Sequence, residues 1–365
     1  MKTTPLIETH KALGARMTDF AGFNMPISYS SIQEEHLAVR RNVGIFDVSH
    51  MGEFFIRGKE ALQLVQYITT NDASRLAPGA AQYSCMPNEN GGIVDDLLVY
   101  RLPTENPEEE YAFMLVVNAG NIEKDFKWIE SRNTFQAELT DRSEQTGLLA
   151  VQGPKAAEAL QPLTPLPLEE LKFYTFAMGA FAGLEDVIIS ATGYTGAGGF
   201  ELYVPADRLV EVWEAIFASG KKVDLLPVGL GARDTLRLEK GYCLYGNDIN
   251  DTTTPLEAGL GWITKLKKGD FIARDILRQQ KEEGVKRKLV GFKVADRRVP
   301  RQHYAIEDET GHYVGEVTSG SQSPSLGYPI GMGYVKTELA SPGTGIVIAT
   351  GRKKLEAEVV KMPFL

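Results

Sequence analysis

Cysteine is scarce in this chain of 365 residues: Cys85 and Cys243 are the only two, and they lie far apart in sequence. Two cysteines without a short spacing exclude a disulfide scaffold and point to a reducing compartment. Histidine is nearly as sparse. The five residues His10, His36, His50, His303 and His312 form no H-x-x-x-H pair, and neither cysteine has a partner at ligand spacing, so no metal site is expected. No apolar run approaches the roughly 18–20 residues of a membrane span. The opening MKTTPLIETHKALG lacks the uninterrupted apolar stretch of a signal peptide and the Arg/Ser bias of a transit peptide. A cytoplasmic location without membrane association is the simplest expectation. A basic surplus is missing too. Lys plus Arg number 39 against 48 Asp plus Glu, for a net charge of −9. General affinity for nucleic-acid phosphates, which needs basic surface, is excluded by that balance.

The familiar phosphate and dinucleotide fingerprints are also absent. GYTGAGG at 193–199 is glycine-rich, but Glu201 stands where G-x-G-x-x-G needs its last glycine. Gly58-Lys59 lacks the upstream glycine and the following Ser/Thr of a P-loop. Asp47, Ser49 and His50 are the residue types of a hydrolytic triad, yet at so tight a spacing they do not converge on one point.

What remains is an ordinary globular composition, 43% hydrophobic and 24% charged, long enough for about two or three domains. Helical and strand periods alternate. Ala61, Leu64, Val65 and Ile68 recur at helical spacing, as do Ile122, Phe126 and Ile129, and then Leu209, Val212, Trp213, Ile216 and Phe217. Between them lie the strand-like runs YAFMLVV (111–117), LLAVQG (148–153) and VIISATG (187–193), with Pro154 placed to open a helix at PKAAEAL. This mixture predicts an α+β fold with antiparallel sheet. Near residue 270 the pattern changes. Asp270 is expected to cap a helix that stops at Gly284. Beyond it, short strands (KLVGFKV, HYVGEVTSG, IGMGYV, GIVIATG, LEAEVVKM) punctuated by Gly and Pro predict a small all-β barrel or sandwich. A domain boundary is expected between about 265 and 285.

One stretch runs against the acidic balance. Lys286, Arg287, Lys288, Lys293, Arg297, Arg298 and Arg301 face only Asp296 within 285–302. Such a run is a solvated basic surface unless an anionic partner meets it.

Four segments carry more than ordinary packing. DVSHMGEF (47–54) alternates apolar and polar residues into a glycine turn. NENGGIVDDLLVY (88–100) leads from a Gly-Gly turn into a strand where Asp95 and Asp96 point to opposite faces. A carboxylate among apolar neighbours costs free energy unless donors reach it. SATGYTGAGGFELYV (190–204) has glycines that let backbone approach a ligand, with Glu201 and Tyr203 sharing one strand face. VGLGARDTLRLEKGYCLYGND (228–248) is a helix able to end at Gly241. Arg233 and Arg237 stand at i,i+4 on it, an arrangement that makes sense if acids or an anionic ligand sit opposite.

Together, DVSHMGEF, NENGGIVDDL, VVNAGNIEKDF, GYTGAGGFELYVP and GLGARDTLRLEKGYCLYGNDI resemble the signature blocks of the glycine-cleavage T-protein family, in order and spacing, from Thr4 to about Phe364. The resemblance implies a three-domain cloverleaf around a central folate cavity. Two intertwined α+β domains would occupy 1–265, the inserted one about 55–138, and a C-terminal β-barrel 285–365. It implies aminomethyl transfer. The lipoyl arm of H protein presents a sulfur-bound aminomethyl group, tetrahydrofolate takes the methylene carbon, and ammonia leaves. Asp96 is similar to the family's catalytic aspartate, Glu201 to the acid that hydrogen-bonds the pterin ring, and Arg233 to the arginine beside it. Met51, Tyr83, Asn118, Tyr174, Tyr194 and Trp262 align with cavity-lining positions. The chain departs from the pattern after GYTG, where Ala197 replaces a common acidic residue. Related alternatives are a folate-dependent demethylase, whose flavin-type fingerprint is missing, and a non-enzymatic folate-binding paralogue of iron–sulfur maintenance. The paralogue carries K-G-C-Y-x-G-Q-E where this chain has Lys240-Gly241-Tyr242-Cys243.

Overall fold

In a computed structural model the described residues are 1–104, 111–351 and 353–365. They divide into two compact units. One comprises Met1–Gln66, Ala73–Tyr83 and Leu97–Arg233, the other Tyr67–Asp72, Ser84–Asp96 and Asp234–Leu365.

The first unit is built on a six-stranded sheet in the order Phe176–Phe181, Leu184–Ser190, Gly199–Pro205, Thr146–Gln152, Gly44–Asp47 and Leu226–Pro227. Its pairings are antiparallel except the last, where Leu226 runs parallel with Gly44. The helix Leu209–Gly220 covers one face. Its apolar stripe, Val212, Trp213 and Ile216, packs with Leu149, Val151, Ile189, Leu202 and Val204 in one buried core. Roughly 1.5–3 kcal/mol per fully buried side chain of this kind makes that face the main source of the sheet's stability. A second antiparallel sheet contains Gly52–Arg57, Ala112–Val117 and Ile93–Leu102. The run DVSHMGEF is thereby split between two sheets: one strand ends at Asp47 and the next starts at Gly52.

Asp47 itself ties the N-terminal segment down. It accepts from Thr4 Oγ1 (2.6 Å), His10 Nε2 (2.8 Å) and the Ser49 amide (2.9 Å). A carboxylate only accepts, so His10 Nε2 is the donor to Asp47, and Nδ1 lies within hydrogen-bond distance of Tyr29 Oη at 2.8 Å. Burial alone would raise the Asp47 pKa, but the bonds from His10, Thr4 and Ser49 hold it below the usual carboxylate value. The triad-like trio therefore separates, with Asp47 committed to His10 rather than to His50.

In the second unit a six-stranded barrel closes on itself in the order Arg287–Val294, Pro329–Lys336, Tyr313–Gln322, Ala305–Glu307, Gly345–Ala349 and Lys354–Val360. Phe292, Ile306, Val317, Val335, Ile348 and Val359 fill it. The expected strands are present. Ala305–Glu307 is an addition, too short and polar to signal itself. The helix after residue 270 starts later than Asp270: it spans Arg274–Glu283, preceded by Ala273 at φ +63°, and stops at Gly284. Asp270 lies outside that helix, 4.0 Å from Arg274 Nη1. In the basic stretch, Arg287 pairs with Glu257 and Lys293 with Glu358, while Arg297, Arg298 and Arg301 are exposed. Cys85 and Cys243 are buried thiols. No helix among the described residues is long and apolar enough to cross a membrane.

Glu53 is the least expected core residue. It is fully buried on strand Gly52–Arg57, and neither carboxyl oxygen has a hydrogen-bond partner among the described residues. Burial, and then the nearby Asp141, push its pKa well above the ordinary 4.5. The native state keeps a proton there that the unfolded chain loses, so this group favours folding at acid pH and opposes it progressively as pH rises above about 4.5. Glu53→Gln is therefore expected to gain on wild type by on the order of 1–3 kcal/mol between pH 5 and pH 7. Urea midpoints across that range check it; a parallel pair of stability curves contradicts a neutral buried Glu53.

Candidate active site

The glycine-rich segment that precedes Glu201 is shaped by one buried side chain. Gln152 Nε2 donates to the Thr192 carbonyl (3.1 Å) and the Phe200 carbonyl (3.3 Å), and its Oε1 accepts from Thr195 Oγ1 (2.8 Å). Loop 193–199 thus folds over Gln152. Gly199 sits at φ +120°, and a Cβ there would lie 2.3 Å from the Val151 carbonyl oxygen, a contact the backbone cannot yield to. The loop delivers the chain into strand Gly199–Pro205 in a register that puts Glu201 opposite Ala150 on one side and Ser190 on the other.

Glu201 is 6% exposed. Its Oε2 accepts from Thr192 Oγ1 at 2.5 Å. Burial raises its pKa, against the opposing pull of the Thr192 hydrogen bond and the Arg233 charge. Arg233 reaches the same region from the helix Leu230–Glu239. The start of that helix is fixed by Glu35, whose carboxylate accepts from the amides of Gly229 (2.8 Å), Tyr29 (2.6 Å) and Ser30 (2.8 Å). The Arg233 guanidinium lies 4.7 Å from the Tyr194 ring centre. Burial lowers its pKa while Glu201 and Tyr194 raise it. Its Nη1 is buried with no hydrogen-bond partner among the described residues. His50, also buried, has an Nδ1 with no partner among the described residues. Burial, then the Arg233 charge, push its pKa down to about 4, so it is neutral at physiological pH. The edge of the Phe20 ring packs on it at 5.3 Å.

A buried acceptor and a guanidinium with an N–H to spare make a polar site that the protein itself leaves incomplete. A buried charged donor without a partner is costly, so such a site calls for a ligand with both hydrogen-bond donors and acceptors along one edge. Of the other expected residues, Met51, Tyr83, Asn118, Tyr174 and Tyr194 belong to this same unit and are half-buried. Tyr174 holds the left-handed conformation at φ +64°, uncommon for a residue with a Cβ. Its amide donates to the Ala191 carbonyl and its own carbonyl accepts from Ala81. Such a conformation persists only where surrounding structure enforces it.

Asp96 and Trp262 belong to the second unit. Asp96 is half-buried on strand Ile93–Leu102, whereas its neighbour Asp95 is 0% exposed. The strand is anchored at its start. The Ile93 amide donates to the Asn250 and Thr253 carbonyls, and a Cβ on Gly92 would fall 1.8 Å from the Asp251 carbonyl oxygen. Burial and then the Asp96 charge push the Cys85 thiol up, and Asp96 contributes in the same direction at Cys243. Both thiols are therefore held protonated. Trp262, in the turn Gly261–Ile263, is 60% exposed. Among the described residues no group of three or more His, Cys, Asp or Glu side chains is arranged to hold a metal ion.

An α+β chain with a buried, incompletely satisfied acid–arginine site and a C-terminal closed barrel defines a small class of proteins. Residues 6–268 match the GCVT N-terminal domain, and residues 287–365 match the Glycine cleavage T-protein C-terminal barrel domain. The aminomethyltransferase of Phocaeicola vulgatus is 56% identical over 365 residues, covering 100% of this chain and 99% of that protein. That of Bacteroides thetaiotaomicron is 57% identical over 365 residues, with the same coverage. The glycine cleavage system aminomethyltransferase T from Bartonella henselae superposes with a TM-score of 0.92 at 36% identity, covering 100% of this chain and 98% of that one. The chain belongs to the glycine cleavage T-protein family, and its activity is that of an aminomethyltransferase.

The loop geometry is open to a direct test. Gly199→Ala is expected to cost on the order of 2–4 kcal/mol, from positive φ and the collision with Val151 together. Gly198→Ala, at φ +76° but with no atom within 4 Å of the added Cβ, should cost only about 1 kcal/mol. Thermal denaturation of the two variants separates the effects; equal losses refute the close-approach reading.

Proposed function

We propose that this enzyme transfers the methylene carbon of an aminomethyl group, carried on the lipoyl arm of H protein, to tetrahydrofolate, with release of ammonia and formation of methylenetetrahydrofolate. The observation that carries the folate part is the pairing of buried Glu201 with the unpartnered Nη1 of Arg233 in one site. A pterin presents N–H donors and carbonyl or ring-nitrogen acceptors along its edge, so an acceptor-only carboxylate and a donor-only guanidinium read it together. Half-buried Tyr83, Tyr174 and Tyr194, with Met51, offer flat or soft apolar surface to its faces, and Asn118 a further polar contact.

Asp96 is the residue proposed to act on the chemistry. As the carbon leaves sulfur, positive charge builds on it and the departing amine takes up a proton. A preorganised carboxylate stabilises that charge, and the partial burial of Asp96 strengthens the effect relative to water. Cations of the 297–301 loop remain exposed for an acidic partner surface, the role proposed for H protein here. The test of the whole reading is ammonia release from aminomethylated H protein, with and without tetrahydrofolate; a rate indifferent to folate overturns it.

Two sets of variants follow. Glu201→Ala removes one partner of a buried charged pair of contacts, a change that typically costs roughly 2–5 kcal/mol of binding. Folate affinity by calorimetry should fall accordingly with the fold intact, and near-wild-type affinity rules the clamp out. Asp96→Asn keeps shape but removes charge. It should lower turnover by about 10²–10⁴-fold while folate affinity changes far less. Asp95→Asn, at the fully buried neighbour, should act through stability instead. Loss of activity in Asp95→Asn with retention in Asp96→Asn would exchange the two assignments.

A further inference from the structure

Glu201 is linked to a chain of buried hydroxyls that the proposed contacts do not use. Tyr203 Oη donates to Tyr100 Oη at 3.0 Å. Tyr100 Oη lies 3.0 Å from Thr192 Oγ1 and 3.2 Å from Ser190 Oγ, and Thr192 Oγ1 is 2.9 Å from Ser190 Oγ. Thr192 then meets Glu201 Oε2 at 2.5 Å. Every one of these side chains is buried. Each hydroxyl has a single proton, and a carboxylate can only accept. The Thr192 proton is therefore spent on Glu201. The Tyr100 proton must go to Thr192, directly or by way of Ser190, and the Tyr203 proton goes to Tyr100. The O–H dipoles of Tyr203, Tyr100 and Thr192 consequently run one way, toward Oε2.

We infer that Tyr100 and Tyr203 are positioning residues of this enzyme: through Thr192 they hold Glu201 as an oriented, acceptor-only carboxylate, ready for the donor edge of the one-carbon acceptor. Aligned hydrogen bonds polarise one another, so each member adds to the field at the last oxygen. Hydrogen bonds to the charged form favour it against burial. The two tyrosines cannot themselves supply charge, because burial raises the pKa of both. The other groups around the relay are consistent with this. Arg233 faces Glu201 from its helix with Tyr194 beside it, His50 is neutral, and Glu53, whose charge would bear on Tyr203, is held protonated. Arg233 is thus the single full charge helping Glu201 to ionise within this set, and the hydroxyl relay supplies the rest.

The role in ligand binding rests on the reading that Glu201 meets the folate ring, so the primary readout is taken without folate. Infrared difference titration of the ligand-free enzyme follows the carboxylic C=O band that disappears in Glu201→Gln. In Tyr100→Phe the midpoint of that band is expected to rise by about 0.5–1 pH unit. Tyr203→Phe, one step farther away and losing only a hydroxyl, should shift it in the same direction by less. The acid limb of the folate KM profile should move up by the same amount, up to about tenfold in KM at a pH inside the shifted window, with kcat moving less. In a Glu201→Gln background the Tyr100→Phe effect on KM should vanish, a coupling that a merely structural tyrosine would not show. An unmoved midpoint in both tyrosine variants overturns the relay. If the midpoint moves but Glu201→Gln leaves folate KM unchanged, the relay stands and the ring-edge reading of Glu201 falls.

Discussion

The cost of keeping a carboxylate inside an apolar sheet governs the first unit. An isolated buried charge is opposed by several kcal/mol, and it survives only where donors are built around it. Glu201 is set in that position by strand register between Ala150 and Ser190. Its surroundings follow from that placement: Thr192 at hydrogen-bond distance, the loop bent over Gln152, and a helix whose first turn is fixed by Glu35 so that Arg233 arrives nearby. The glycines of the loop are part of the same solution, since Gly199 allows the backbone to pass within a Cβ's reach of Val151.

The helix that carries Arg233 shows what a completed version looks like. Four residues on, Arg237 is also buried, and every direction around it is answered. It donates to Asp234, to the Tyr242 carbonyl, to Asp248 at 2.7 Å and to Ser319. Asp248 in turn accepts from Thr318, Ser319 and the Leu244 amide, and the Tyr334 hydroxyl donates to its backbone carbonyl. That network fastens the helix to the barrel strand Tyr313–Gln322 within the second unit. Arg237 is a structural arginine by this criterion, satisfied by the protein alone. Arg233, with a buried Nη1 unanswered among the described residues, is not. The contrast separates two arginines that stand at the same i,i+4 spacing and are indistinguishable as residue types.

Much of this was legible from the chain. The helical stripes at 61–68, 122–132 and 209–220 and the antiparallel runs between them appear where periodicity places them, because each buries one face and periodicity records that burial directly. The barrel was legible for the same reason. Asp270 misled as a cap because capping is a matter of backbone angles, and Ala273 at φ +63° redirects the chain after it. At the site, strand parity already set Glu201 and Tyr203 on one face. Tyr100 could not be read. It lies 103 residues from Tyr203 along the chain, and only the folded register brings the two hydroxyls to 3.0 Å. Glu53 and His50 looked like ordinary polar positions in an alternating run, since burial without a partner leaves no trace in sequence.

A pattern emerges in how the chain treats its buried acids, and it bears on which of them can take part in chemistry. Asp47 and Asp248 are each held by several strong donors, and such carboxylates are saturated parts of the framework. Glu53 has no donor among the described residues and is held as a neutral acid by burial. Neither extreme can respond to a ligand, because one is saturated and the other uncharged. Glu201 lies between them: one short hydrogen bond to Oε2, an arginine charge close by, and burial opposing both. An acid in that intermediate state gains most from a further donor. On the proposed folate reading, the binding free energy of a ligand edge would be concentrated where the protein has prepared the charge but left it underbonded, and the same reasoning applied to cations singles out Arg233 over Arg237.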